Sequence, residues 1–177
     1  MKRSMIDIET MANSPGALII SIGGCKFDTD TGTISDELLL NIDFKETLKK
    51  YPGKFVINQE TINWWKTQDP AVLESCMQNQ IPLDEALDIL YKWLVPSQEL
   101  WCWGMSFDVP ILEHAIRVTG KYVQYDNKLP WKYHLHRCAR TTAKIFNMEI
   151  ERDADAHHNA LADCIDQSKL MMEILSA

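Results

Sequence analysis

The sequence predicts an α/β layered domain, with a mixed sheet that opens as an antiparallel meander and continues as strands interleaved with covering helices. Three observations carry this. Apolar runs of strand length crowd into residues 5–42, helical spacing takes over after residue 58, and one strand-like run, Glu99 to Trp103, is interposed among the helical stretches. A length of 177 residues suits one domain, 1–177, with no internal repeat, low-complexity tract or linker to divide it.

Each element has a local reason. Met5 to Ile8 is a short apolar run, and Ala17 to Phe27 is a second, Ile-rich one with Gly23-Gly24 inside it. A glycine pair in a strand marks a bulge or a close backbone approach. Thr31-Gly32 reads as a hairpin turn that returns the chain along Ile34 to Ile42. Asn58 can cap a helix over Glu60 to Lys66, and Asp69-Pro70 opens another with proline in its first turn. After Pro82, Leu83, Ala86, Leu87, Leu90, Trp93 and Leu94 recur at helical spacing. Asp108 opens a helix whose apolar face is Ile111, Leu112, Ala115 and Ile116, stopped by Gly120. Residues 121–136 read as irregular, Cys138 to Phe146 as helical, 149–157 as a charged loop, and Asn159 to Leu175 as a terminal helix.

Composition excludes several classes. Apolar residues at 46% and charged residues at 24% are those of a globular protein. Eighteen Lys and Arg against twenty-five Asp and Glu leave a net charge of −7, the wrong sign for a protein that coats nucleic acid by charge alone. An enzyme that meets nucleic acid through bound cations is compatible with it. Stretches such as 17–22 fall far short of the roughly 20 apolar residues needed to span a bilayer, so no membrane partner is expected. The charged start, Met1-Lys2-Arg3-Ser4-Met5-Ile6-Asp7, does not read as a signal peptide. Five widely spaced cysteines without a Cys-x-x-Cys read as reduced thiols, which points to the cytoplasm, or the host-cell cytoplasm for a phage-encoded chain.

The chemistry is carried by carboxylates. Asp7 and Glu9 stand two apart in the first strand, so both point to one face. Two like charges side by side cost free energy unless a cation or proton is shared, although a solvated acidic turn would also explain them. Asp108 follows the strand Glu99 to Trp103, where a helix N-cap is its bland role. Asp163 sits among inward residues of the terminal helix and would be costly there without a partner. His158, five residues earlier, would lie about 140° away on an ideal helix. It can converge with Asp163 only from a loop before the helix. A loop His157-His158 pair, an exposed Asp163 or a two-His zinc site are the alternatives, but zinc would want further ligands that are not evident. Taken together, four carboxylates are balanced by two divalent ions. Hard oxygen donors suit Mg²⁺ or Mn²⁺, and paired ions serve phosphodiester displacement with His158 as the candidate base for water.

These residues resemble a known family. Asp7-Ile8-Glu9-Thr10, then Trp103-Gly104-Met105-Ser106-Phe107-Asp108, then His158 with Asp163 are similar to the three motifs of the DEDDh superfamily. These are 3′→5′ exonucleases of ribonuclease H-like fold, among them proofreading subunits and ribonuclease T. Ile62-Asn63-Trp64-Trp65, the stretch Trp101 to Leu112 and the segment Trp131 to Thr141 resemble its phage DexA-type and RNase AS-type branch. The resemblance implies a ribonuclease H-like mixed sheet, with Asp7, Glu9, Asp108 and Asp163 holding two Mg²⁺ (Mn²⁺ able to substitute) and His158 activating water. It further implies Thr10 and Met11 lining the pocket for the 3′-terminal nucleotide, single-stranded DNA or RNA as partner, and a homodimer. Relatives often carry an acidic residue near an arginine before the last motif, where this chain has His136-Arg137-Cys138-Ala139-Arg140. His157 takes no role from the resemblance.

Trp64, Trp65, Trp101, Trp103 and Trp131 could stack on bases, but packing is the expectation for Trp101 and Trp103 in a strand. Trp64 and Trp65 point about 100° apart on a helix, so one is expected to be exposed as a substrate or subunit contact. Arg137, Arg140 and Lys144 would form a helical stripe facing phosphates, or a solvated face. The rivals to an exonuclease are a phosphatase of the haloacid dehalogenase type, to whose Asp-x-Asp-x-Thr opening residues 7–10 come close, and a non-catalytic nucleic-acid-binding module. Against the first, this chain has Glu9 in place of the second Asp and no evident downstream lysine.

Overall fold

The computed structural model describes residues 3–95, 97–150 and 158–176. The meander is present: β1 (Arg3–Thr10), β2 (Ile19–Asp28) and β3 (Thr33–Asn41) pair antiparallel in sequence. Helix α1 (Phe44–Lys50) follows, capped by Asp43. It is short and has few apolar positions, and the sequence reading did not contain it. Asn58 caps α2 (Gln59–Trp65) through the Thr61 amide, and Asp69 caps α3 (Pro70–Cys76), both as their residue types demand. Helix α4 (Leu83–Leu94) buries Leu83, Ala86, Leu87, Leu90 and Leu94.

Strand β4 (Glu99–Cys102) lies parallel to β1 and leads into α5 (Met105–Val118). Asp108 is not the cap of α5, because the helix starts earlier, with Gly104 at the cap and Asp108 in the first turn. The stretch read as irregular contains a short α6 (Lys121–Gln124) and a 3₁₀ turn at Tyr133–Leu135. Strand β5 (His136–Cys138) then pairs parallel with β4 and precedes α7 (Ala139–Ile145). The proposed stripe of Arg137, Arg140 and Lys144 is therefore broken. Arg137 pairs with Trp101 in the sheet and its guanidinium meets Glu99 at 3.0 Å. The chain closes with α8 (Ala160–Ser176). Strand order in the five-stranded sheet is β3-β2-β1-β4-β5.

Side-chain alternation divides the core into two layers. Ile6, Ile8, Ile22, Leu100 and Cys102 face α4 and α5. Met5, Cys25, Phe27 and Trp101 face the opposite way, toward Ala143, Cys164 and Met171 of α7 and α8. Asp7 and Glu9 continue the parity of Met5 and so belong to the α8 side.

Gly23 explains how α8 reaches that place. It stands opposite Asp7 in the β1–β2 register. A Cβ on Gly23 would lie 2.1 Å from the carbonyl carbon of Ala160 and 2.4 Å from the amide nitrogen of Leu161. The first turn of α8 rests on strand backbone that only glycine leaves bare. Gly24 serves the other face, where a Cβ would come 2.9 Å from the Trp93 ring edge. A register shift follows between Gly24 and Lys26, so the glycine pair marks both a close approach and an irregularity.

Gly23→Ala should therefore destabilise the fold by about 2 kcal/mol or more, in the range of overpacking with backbone displacement. Gly24→Ala, whose Cβ meets the edge of the Trp93 ring and approaches the Met5 carbonyl oxygen at 3.3 Å, should cost less. Urea unfolding of the two variants checks the ranking, and equal losses would contradict the seating of α8 on Gly23.

Candidate active site

The site is assembled from both ends of the chain. Strand β1 supplies Asp7 and Glu9 on one face. Asn159 accepts from the amides of Leu161 and Ala162 and so caps α8 with its side chain. That cap fixes the turn in which His158 precedes the helix, with φ of 66°. The left-handed conformation is uncommon for residues other than glycine, with histidine among the better tolerated. It turns His158 toward Asp163. Glu9, His158 and Asp163 each offer a ligand atom within 4.8 Å of the other two. The convergence that required His158 to sit outside the helix is thus realised.

Asp7 and Asp108 border this trio. Asp7 accepts from Gln167 Nε2 at 3.1 Å, and Gln167, one turn beyond Asp163 on α8, is fully buried. Gln167 was not found in the sequence, although its spacing of four from Asp163 places it on the same helix face. Its Oε1 has no hydrogen-bond partner among the described residues, so the amide serves Asp7 through its nitrogen alone.

The electrostatics show strong crowding. Burial first, and then the charges of Asp7, Asp163 and Asp108, push the Glu9 carboxyl up to about 10. Burial also pushes Asp108 up to about 7, against the opposing pull of backbone amides at Asp108, Gly104 and Ile8 and of the Arg140 charge. Four carboxyls so placed cannot all ionise cheaply without a cation. Their oxygens are the hard donors that Mg²⁺ or Mn²⁺ takes, so the residues fit such ions. Thiol ligands do not compete. Burial, followed by the Asp108 and Asp7 charges, holds Cys102 well above the ordinary thiol range, and burial does the same for Cys164. All five cysteines are free.

Beside Glu9 opens a cavity of about 380 Å³, lined by Ile8, Thr10, Ala12, Asn13, Glu60, Thr61, Trp64, Trp65 and Phe107. The adjacent tryptophans differ as expected: Trp65 is 4% exposed and Trp64 is 40% exposed. Trp65 donates through Nε1 to the Thr10 carbonyl at 2.9 Å, which ties α2 to the end of β1. Trp64 stands edge to face with the His158 ring, centroids 4.7 Å apart at 82°. Thr10 lines the cavity, whereas Met11 does not. Its side chain packs against the hydrophobic clusters below. Arg140 lies on another side, in a cavity of about 480 Å³ with Trp103 and Lys144, its guanidinium 5.9 Å from the Trp103 ring centre. Trp101 is buried edge-on against Phe27, as expected for packing. His157 and the remainder of the loop 151–157 lie outside the described residues.

Comparison with known proteins gives the family and the fold. The family described as the 3′-5′ exoribonuclease Rv2179c-like domain matches residues 2–175. An exodeoxyribonuclease of Enterobacteria phage T4 is 34% identical over 128 residues, which cover 64% of this chain and 55% of that protein. The match thus spans about half the length of the curated relative. Among solved structures, exonuclease X in complex with 5′ overhanging duplex DNA has a TM-score of 0.57 at 16% identity, over 98% of this chain and 90% of its own. The nuclease domain of 3′hExo, a DEDDh family member bound to rAMP, has a TM-score of 0.57 at 11% identity, over 98% and 91%. Exonuclease I from Methylocaldum szegediense reaches 0.64 at 14% identity, over 97% of this chain and 40% of that one. At such identities the likeness is one of fold, and the five-stranded mixed sheet is the one these structures share. With a sheet, a carboxylate cluster and a family match extending over nearly its whole length, the chain belongs to the 3′-5′ exoribonuclease Rv2179c-like family.

Proposed function

We propose that this chain is a metal-dependent 3′→5′ exonuclease that removes mononucleotides from the 3′ end of single-stranded DNA or RNA. The observation that carries the reading is the convergence of Glu9, His158 and Asp163 beside a cavity walled by Thr10, Trp64, Trp65 and Phe107. Asp7, Glu9, Asp108 and Asp163 would hold two Mg²⁺ ions, or Mn²⁺ in their place. Bound there, the ions would neutralise the carboxylates and draw charge from the phosphodiester under attack. The terminal nucleotide enters the cavity, where aromatic walls exclude water from its base. His158 accepts a proton on its imidazole from the attacking water. Trp64 holds that ring from its edge, Gln167 orients Asp7, and Arg140 supplies positive charge from the Asp108 side. The new bond joins the water oxygen to phosphorus, the upstream 3′ oxygen leaves, and the product is a 5′-mononucleotide.

The free cysteines support a reducing compartment such as the cytoplasm. Among the described residues no helix is long and apolar enough to cross a membrane. A homodimer is part of the same proposal, and sedimentation measures it directly.

Incubation of end-labelled oligonucleotides with Mg²⁺ should release 5′-mononucleotides stepwise, and chelation or Asp7→Ala should abolish the release. Inorganic phosphate from monoesters, or activity that survives Asp7→Ala, would defeat the reading. Matched DNA and RNA strands in the same assay decide the sugar preference.

The crowding gives a second expectation with a definite sign. The folded Glu9 carboxyl titrates far above its unfolded value, so its stability contribution is present at low pH and lost as pH rises from about 4.5 toward about 10. At neutral pH Glu9→Gln should stabilise the metal-free protein by about 2 kcal/mol, or roughly 4–8 °C in Tm, while removing activity. Mg²⁺ should raise the Tm of the wild type more than that of the variant. A variant less stable than wild type in chelator would show that the repulsion does not govern.

Trp64→Ala separates ring support from base stacking. Support of His158 predicts a loss of roughly tenfold in kcat with little change in KM. A rise in KM at constant kcat would instead assign Trp64 to nucleotide binding alone.

A further inference from the structure

We propose that a basic, aromatic cleft at the opposite end of the sheet binds the upstream backbone of a single-stranded nucleic acid whose 3′ end occupies the active site. This rests on the exonuclease reading above and extends it to a second binding site. The cleft measures about 730 Å³, and its lining includes Lys128, Lys132, His134, Arg137, Trp131 and Tyr91. Glu99 is the one carboxylate in the lining, and it is already held by Arg3 at 2.9 Å and Arg137 at 3.0 Å. Lys128 and Lys132 make no ion pair among the described residues and are exposed. Tyr133, between Lys132 and His134, is 85% exposed and stands edge-on to the His134 ring.

Position and charge point to a polyanion. The cleft forms around Ser97 to Glu99 and Lys132 to Leu135, at the starts of β4 and β5, whereas Asp7, Glu9 and Asp108 emerge at or beyond the ends of β1 and β4. The strands β1, β4 and β5 are parallel, so these are opposite edges of the sheet. The four residues of β4 alone separate them by about 13 Å. A strand engaged at both must extend several nucleotides beyond its terminal one. The cavity beside Glu9 has no Lys or Arg in its lining. In a chain of net charge −7, attraction for the backbone has to come from elsewhere. Lysines beside the half-buried Trp131 ring, with the exposed Tyr133 next to the cleft, resemble the basic and aromatic arrangement that follows a single strand without reading its sequence.

The test compares wild type with a Lys128→Ala/Lys132→Ala double variant on a dinucleotide and on a long single-stranded oligonucleotide, over a series of salt concentrations. For the long substrate kcat/KM should fall about tenfold at low salt, and the slope of log kcat/KM against log salt should flatten by about 0.7 for each lysine removed. The dinucleotide, too short to reach the cleft, should be turned over as before. Equal losses on both substrates, or no loss on either, would overturn the proposal. So would a change in sedimentation of the variant, which would make the cleft a contact between copies of the chain. If the wild type turns over neither substrate, the exonuclease reading fails. Fluorescence anisotropy with the long oligonucleotide in chelator then still decides whether the lysines bind it.

Discussion

The crowding of Asp7, Asp108 and Asp163 around a buried Glu9 is the constraint around which this molecule is arranged. Glu9 is buried and sits in the field of Asp7, Asp163 and Asp108. An isolated chain would never choose that arrangement, since each ionised group raises the cost of the next. It persists because the surrounding elements are held by interactions that do not involve the acids. Ile6 and Ile8 lock β1 into one layer of the core, and Met5 locks it into the other. Cys164, Leu170, Met171 and Ile174 hold α8 against the sheet from inside its own helix. The apolar packing sets the geometry and the acids are carried into place. A divalent cation converts the same crowding into binding energy, so a site that weakens the metal-free fold is the one that favours the ion.

Placement depends on how near α8 comes to the sheet. Bare backbone at Gly23 lets the helix begin almost in contact with β2, beside Asp7. The Asn159 cap then decides where the helix starts, and with it the left-handed turn at His158. Strain of that kind tends to be kept where surroundings overdetermine it. Here the Trp64 ring, the capped turn and the seated helix all press on one histidine. The first strand and last helix are remote in sequence, so the site exists only when the whole domain is folded.

Much of this was legible in the chain. The meander followed from strand-length apolar runs and a Thr-Gly turn, and three helices announced themselves through Asn58, Asp69-Pro70 and the Leu83–Leu94 periodicity. The glycine pair signalled a close approach before its partner helix was known. What escaped was short or non-local. Helix α1 has seven residues and little periodicity, and β5 has three residues whose only reason to be a strand is the edge of β4. The bland role of Asp108 as a cap does not hold, because Gly104 starts the helix earlier and leaves the carboxyl buried. Gln167 carries no chemistry of its own that a sequence could flag. Its meaning comes from Asp7, 160 residues away. Met11, which the family resemblance placed at the pocket, follows the irregularity at the end of β1 and packs half-buried against the apolar clusters.

An acidic protein with a polyanionic substrate has to separate attraction from reaction. At the reacting end the carboxylates repel phosphate until cations intervene, and Arg140 is the cation that opposes the charge of Asp108 there. Attraction over distance needs fixed positive charge, and fixed lysines among these carboxylates would pair with them and displace the ions. The sheet resolves the conflict by its length. The clustered carboxylates lie where the parallel strands end, and Lys128 and Lys132 near where they begin, with buried Trp101 and Leu100 between them. Their separation and the ionic atmosphere, which screens exposed charges beyond about 8–10 Å, keep the two fields from cancelling. A single strand held at the proposed cleft would leave its terminus free to reach the carboxylate end.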